Sequence, residues 1–188
     1  MANISTNVST GKPKISGGVW VAPSGTALPT DATTDLGGSF TCLGYVSEDG
    51  VENSNDMGVS ETKAWGGSIV LRSLDSFADN FSLALIESKN VDVLKNVYGD
   101  SNVSIDADNN ITVNVVAENP QEKVWVFEVA LRGGKKKRIV IPVGAVTARE
   151  AITYNDSDAI AYGITVSAYP DSNGKTHTEY IEGEAPSI

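Results

Sequence analysis

The single histidine, His177, sets the first limit on the chemistry open to this 188-residue chain. One imidazole excludes a metal centre built on several histidines and a two-histidine proton relay. A Ser-His-Asp arrangement would have to use His177, which lies among turn residues near the C-terminus, so it reads as a solvated side chain. Asp106, Asp108, Asn109 and Asn110 are oxygen donors of the kind that calcium takes. They lack the spacing and the bidentate glutamate of an EF-hand loop, and a hairpin turn is the better reading. Asp156 and Asp158 read the same way. No Walker A pattern is present, and the paired glycines at 17–18, 37–38, 66–67 and 133–134 fit hairpins and bulges better than phosphate cradles. The lone Cys42 excludes an intrachain disulfide framework and a multi-cysteine zinc site; it reads as a small buried hydrophobe. No cofactor and no metal is expected, although an enzyme working with carboxylates alone would leave no such signature.

The sharpest chemical feature is the basic run Lys135, Lys136, Lys137 and Arg138. Fourteen Lys and Arg against 24 Asp and Glu give a net charge of −10. Residues 123–149 hold seven of those cations and one acid, so the remainder carries −16. A chain this acidic repels nucleic acid outside the one patch, and ordinary DNA binding is not expected. The basic run has two readings. It is a charged hairpin that keeps an exposed strand soluble, or a docking surface for an acidic neighbour, the economical one being another copy of the same chain.

These residues must be held by β-structure. Residues 124–131, 138–143, 148–154 and 160–169 are apolar, β-branched runs. In the first, Trp125, Phe127, Val129 and Leu131 share one parity and Val124, Val126, Glu128 and Ala130 the other, so a strand here buries one face and much of the second. Gly133-Gly134 and Asn155-Asp156-Ser157-Asp158 supply turns, and two consecutive hairpins form the central sheet. Further strands are expected at 14–22, 40–46, 68–74, 80–87, 111–116 and 176–181, with turns at 75–79, 106–110 and 171–175. One helix is expected, capped by Asn90, with Val91, Leu94, Val97 and Tyr98 on one face and Gly99 ending it. At 188 residues the chain fits one domain burying roughly 70% of its unfolded surface.

Residues 47–67 stand apart. They carry Glu48, Asp49, Glu52, Asp56 and Glu61 against Lys63, have few large apolar side chains, and end in Trp65-Gly66-Gly67. Structureless loops beyond ~12–15 residues are uncommon in compact domains. The segment is therefore a solvated flap, or an arm ordered by contact with another subunit. Residues 1–14 read as a flexible N-terminal arm, 15–181 as the β domain and 182–188 as a polar tail. No run approaches the ~18 apolar residues of a membrane span, and there is no secretory leader pattern, so a membrane anchor is not expected and the chain is expected to be made in the cytoplasm.

Several segments together carry a resemblance. They are Leu43-Gly44-Tyr45-Val46-Ser47-Glu48-Asp49-Gly50-Val51, Lys63-Ala64-Trp65-Gly66-Gly67, Lys137-Arg138-Ile139-Val140-Ile141-Pro142, the stretch from Ile152 to Ile160, and Ala168-Tyr169-Pro170-Asp171. In this order, over residues 15–181, the chain resembles the major tail (tail tube) proteins of long, non-contractile-tailed bacteriophages. The resemblance implies an all-β fold with one short helix, a β-sandwich or half-barrel. It implies a structural virion protein of the viral tail, not an enzyme, whose six-membered rings stack around the tape measure protein into a hollow tube for DNA passage. Tail tip and tail terminator proteins would be further partners, and DNA would meet the chain only in transit through an acidic lumen. Residues 47–67 match the family's extended inter-subunit loop, which makes Glu48, Asp49, Glu52, Asp56, Glu61 and Trp65 contact candidates, beside Lys135, Lys136, Lys137 and Arg138. The competing reading is a β-sandwich adhesin or carbohydrate-binding module, for which Trp20, Trp65 and Trp125 would have to form an aromatic platform.

Overall fold

A computed structural model describes residues 3, 5–15 and 17–183. The expected tail at 182–188 therefore lies outside the described residues from 184 on, as do positions 1, 2 and 4 of the expected N-terminal arm. Eleven strands appear among the described residues. The first five are β1 (Lys12–Pro13), β2 (Val19–Pro23), β3 (Thr41–Cys42), β4 (Val46–Lys63) and β5 (Ile69–Leu85). Then come the helix α1 (Val91–Tyr98), β6 (Val103–Ile105), β7 (Ile111–Val113) and β8 (Lys123–Ala130). β9 (Lys136–Arg149), β10 (Tyr162–Tyr169) and β11 (Thr178–Ile181) complete the chain. No helix among them is long and apolar enough to cross a membrane.

The main sheet runs β3-β2-β8-β9-β10-β5-β4, with β1 also on β8 and β11 also on β9. β9 belongs to two layers. Its first half pairs with β8 (Phe127 opposite Ile139) and β11 (Thr178 opposite Val140), and its second half pairs with β10 (Ala168 opposite Gly144). At the corner a Cβ on Gly144 would come within 2.7 Å of Trp125 Cδ1, so the strand turns over a fully buried indole that leaves no room for a side chain. The layers close on each other through Phe81 of β5 and Phe127 of β8, stacked at 5.4 Å between ring centroids. This is an all-β sandwich with one α-helix among the described residues: the residue pattern led us to expect the all-β class and the single helix, and the resemblance implied the sandwich.

The alternation read in residues 124–131 buries both sides of β8. Trp125 and Phe127 join Val19, Val21, Leu43, Ile141, Ile164 and Val166 between the layers. Val124 and Val126 join Ala22 and Val140 on the outer side, beneath Leu36 and Phe40 of the connection between β2 and β3. Asn90 caps α1 by accepting from the Asp92 amide, and Val93, Leu94 and Val97 bury its inner face. Gly99, at φ 103°, ends it as expected.

Four expectations fail for physical reasons. Residues 47–67 are not a flap: they form the outgoing limb and tip of one long hairpin, β4–β5. The two strands expected at 68–74 and 80–87 are a single strand, since Asp75, read as a turn former, occupies a bulge where Gly58 opposite Ser76 gives way to Val59 opposite Leu74. Residues 138–143 and 148–149 likewise belong to one bent strand, while 150–161 is irregular and only Ile152 and Ile160 pack on the core. His177, expected in solvent, is half-buried against Asp79.

Candidate functional site: a two-sided hairpin on a polar sheet

Register decides which side of the hairpin each residue occupies. Residues directly opposite in an antiparallel pair share a face. Phe81, Leu83 and Leu85 point into the core, so their partners Asn53, Val51 and Val46 do too. Continuing outward by twos, the same side holds Asp79 with Asn55, then Phe77 with Met57, then Leu74 with Val59 past the bulge, then Arg72 with Glu61. From Asp56 to Lys63 the hairpin extends about 25 Å, at roughly 3.3 Å per residue. The body no longer covers it there: Met57, Phe77, Val59 and Leu74 are 68%, 45%, 55% and 60% exposed. They make a contiguous patch on the order of 400 Å², the size at which exposed apolar surface marks an interaction site.

The root of the arm is a buried carboxylate. Asp79 has no exposed side-chain surface; its Oδ1 accepts from Asn53 Nδ2 at 2.8 Å, and His177 Nδ1 meets Oδ2 at 2.5 Å. The imidazole also stands edge-on to Phe81. β11 and the segment before it thus clasp the arm where it leaves the body.

The opposite side of β9, β10, β5 and β4 is a ladder of small polar groups. Ser82 bonds Thr165 at 3.3 Å, Ser167 donates to Asn80 Oδ1 at 2.7 Å, and Thr147 bonds Ser167 at 2.7 Å. Opposite Ser82, Asn80 and Ala78 on β4 stand Glu52, Ser54 and Asp56. Glu150 lies over Gly163, close enough that a Cβ there would meet its carboxylate at 2.4 Å. Residues 46–62, 73–85 and 162–169 contain no Lys or Arg. Arg149, opposite the buried Ile164, turns to the other side and lies over the Tyr98 ring at 5.4 Å. This face presents hydroxyls and carboxylates without a cation.

Of the residues singled out from sequence, Glu52 and Asp56 lie on this polar face, while Glu61 pairs with Arg72 at 3.0 Å on the apolar side. Glu48 and Asp49 are exposed at the start of β4, and Trp65 is fully exposed at the tip. The basic run divides. Lys137 pairs with Glu179 at 2.7 Å and Lys135 with Glu182 at 3.8 Å; Lys136 has no ion pair among the described residues. Arg138 is a core residue, wholly buried against Glu128, whose other oxygen takes Lys14 at 2.8 Å. It also donates to the carbonyls of Asp31 and Thr34, at 2.8 and 2.7 Å, and so fastens the connection between β2 and β3. Asp31 is held well below the usual carboxylate range, first by the Thr34 hydroxyl and then by the amides of Thr34 and Thr33. Arg138 is therefore committed within its own chain.

Sequence reasoning missed the apolar patch because its residues alternate among Ser, Asp and Gly rather than forming a run. The parity of Met57 and Val59, and of Asp79 with Phe81, was the available signal. The three tryptophans do not form a platform: Trp125 is core, Trp20 is half-buried with its indole donating to the Gly17 carbonyl at 3.1 Å, and Trp65 stands alone at the hairpin tip. In comparison with known proteins, the family model described as phage tail tube protein matches residues 13–187. No curated protein matches the chain.

Proposed function

The chain belongs to the phage tail tube protein family, structural components of the virion tail, and from that premise we propose that six copies close into a ring, that rings stack into a hollow tube, and that the polar face of β9, β10, β5 and β4 lines its lumen. The observation that carries this reading is the cation-free face itself. A surface of hydroxyls with Glu52, Asp56 and Glu150 offers DNA phosphates no cation to pair with and repels them through its carboxylates, so DNA passes without being held. The edges of the same sheet support ring closure. The outer edge of β4 has no partner strand among the described residues, and neither does β9 past Gly144 on the side away from β10. Two open edges of one sheet are an aggregation hazard in a monomer, and pairing the β4 edge of one copy with the β9 edge of the next removes both.

The hairpin supplies the second contact. Its apolar side, Met57, Val59, Leu74 and Phe77, covers a neighbouring copy, while the acids first assigned to that contact, Glu52 and Asp56, face the lumen. Lys136, with the outward parts of Lys135 and Lys137, meets acidic surface of another copy. In this reading the tape measure protein fills the lumen before DNA does, and tip and terminator proteins close the ends, as the resemblance implies.

Negative-stain electron microscopy of the purified protein at high concentration tests the reading. Hollow tubes or six-fold rings are expected, disrupted by raised salt in proportion to the ionic contacts. A protein that stays monomeric at every concentration and salt, also when seeded with tail tips, would overturn it.

A further inference from the structure

Trp65 has no role in the folded monomer. It sits in a fixed turn, with the Ala64 amide donating to the Ser68 carbonyl at 2.8 Å and the Gly67 amide to the Ala64 carbonyl at 2.9 Å. Gly66 and Gly67 adopt φ of 104° and 90°, which other residues rarely take, so the turn is built to present the indole. That indole is fully exposed. A projecting tryptophan on a rigid arm is the typical energetic anchor of a protein interface.

The same chain carries a receptor of matching chemistry. A groove of about 380 Å³ is lined by Ile15, Ala32, Val129 and Ala130, with Lys14, Lys135, Lys136 and Lys137 around it. Its size falls in the range that accepts a large aromatic group, roughly 300–1,000 Å³. Its floor is apolar, and ammonium groups beside it can lie over an indole face. Of those ammonium groups Lys136 is unpaired among the described residues and free to meet the indole. Near the tip Glu61 and Asp75 balance Lys63 and Arg72, so the indole, not net charge, supplies the match.

We propose that Trp65 of one copy seats in the lysine-rimmed groove of a second copy, making hairpin tip and groove the two halves of one repeating contact. Because the two halves are different surfaces of the chain, each copy offers a free tip and a free groove after docking, and the contact propagates instead of ending at a dimer. This inference rests on the self-assembly reading and names its contact.

The test is disulfide trapping in a Cys42→Ser background. One chain carries Ala64→Cys beside the intact Trp65, the other Ile15→Cys at the groove; the two are mixed at low salt and oxidised where the parent forms tubes. The 64–15 cross-link is expected as the dominant product. Its yield should fall roughly tenfold or more when Trp65→Ala is added to the first chain or Lys136→Glu to the second. Both are surface positions, so the melting temperature of the unassembled chains should not change, which separates lost docking from misfolding. Tubes without the 64–15 link, or a yield indifferent to Trp65→Ala, overturn the proposal and leave the tube reading standing. Absence of both assembly and cross-link overturns the two together.

Discussion

His177 Nδ1 lies 2.5 Å from Oδ2 of the buried Asp79, joining the segment before β11 to the root of the β4–β5 hairpin. A carboxylate with no solvent contact needs compensation at both oxygens, and Asn53 covers the other one. Replacing His177 by Ala should therefore cost about 2–3 kcal/mol in urea unfolding, while Gln, which can still donate, should recover part of it. Amide exchange at residues 53–55 and 77–81 should accelerate in His177→Ala before other strands respond. Equal stability of the parent and the Ala variant would mean that the contact does not hold the arm.

Asp31 gives an acid limit to the connection between β2 and β3. Hydroxyl and amide donors from Thr34 and Thr33 stabilise its ionised form, so its folded-state pKa is depressed. A depressed carboxylate contributes stability that is complete above its unfolded value of about 3.9 and is lost as pH falls through the folded value. The Thr33 and Thr34 amide resonances should thus hold their positions as pH falls through the usual carboxylate range and move only in stronger acid. Movement centred near pH 4 would show that these bonds do not form. In Asp31→Ala the carbonyls gripped by Arg138 should lose their order at all pH.

Arg138 and Glu128 form a buried pair, so removing one partner exposes the cost of the other. Arg138→Met should destabilise the fold by about 3–5 kcal/mol, and adding Glu128→Gln should return part of that loss. A double variant no better than the single would indicate that the two side chains do not share their burial. Because the guanidinium is spent on Glu128 and the Asp31 and Thr34 carbonyls, Lys136→Glu should leave stability unchanged where Arg138→Met does not.

What the sequence disclosed follows from what leaves a periodic mark. β8 was legible because both parities of residues 124–131 are buried, and α1 because Asn90 and Gly99 bracket a helical apolar stripe. The hairpin was not legible as structure. Where neither face of the strand pair lies on the core, the alternation is only Met57 and Val59 among acids, serines and glycines, and 47–62 looks like a loop. Turn-forming residues misled in the same way at Asp75, which is a bulge, and at Asp79, which is a buried anchor. The break expected after Val143 is a bend over Trp125, dictated by a residue about twenty positions away. The acidic contact candidates were read from their segment and their charge, and neither tells which face of a strand a carboxylate takes. Register does, and it moves Glu52 and Asp56 to the polar side and leaves Met57, Val59, Leu74 and Phe77 on the other.

That division makes the lumen assignment testable by charge reversal. Glu52 and Asp56 are exposed on a face that has no Lys or Arg among its neighbours in β4, β5 and β10. Glu52→Lys with Asp56→Lys removes two carboxylates and adds two cations per copy, so every ring would present a collar of ammonium groups to anything inside it. Surface substitutions of this kind usually change stability within about ±0.5 kcal/mol, and the monomer should remain folded. If the face lines the lumen, the variant should still form tubes, because the apolar side of the arm and the open strand edges are untouched. Those tubes should now retain short double-stranded DNA in sedimentation, with retention falling steeply as salt rises. Parent tubes should retain none. Tubes of the variant that bind DNA no better than the parent would place Glu52 and Asp56 elsewhere, and a variant that loses assembly while staying folded would return these acids to the inter-subunit contact.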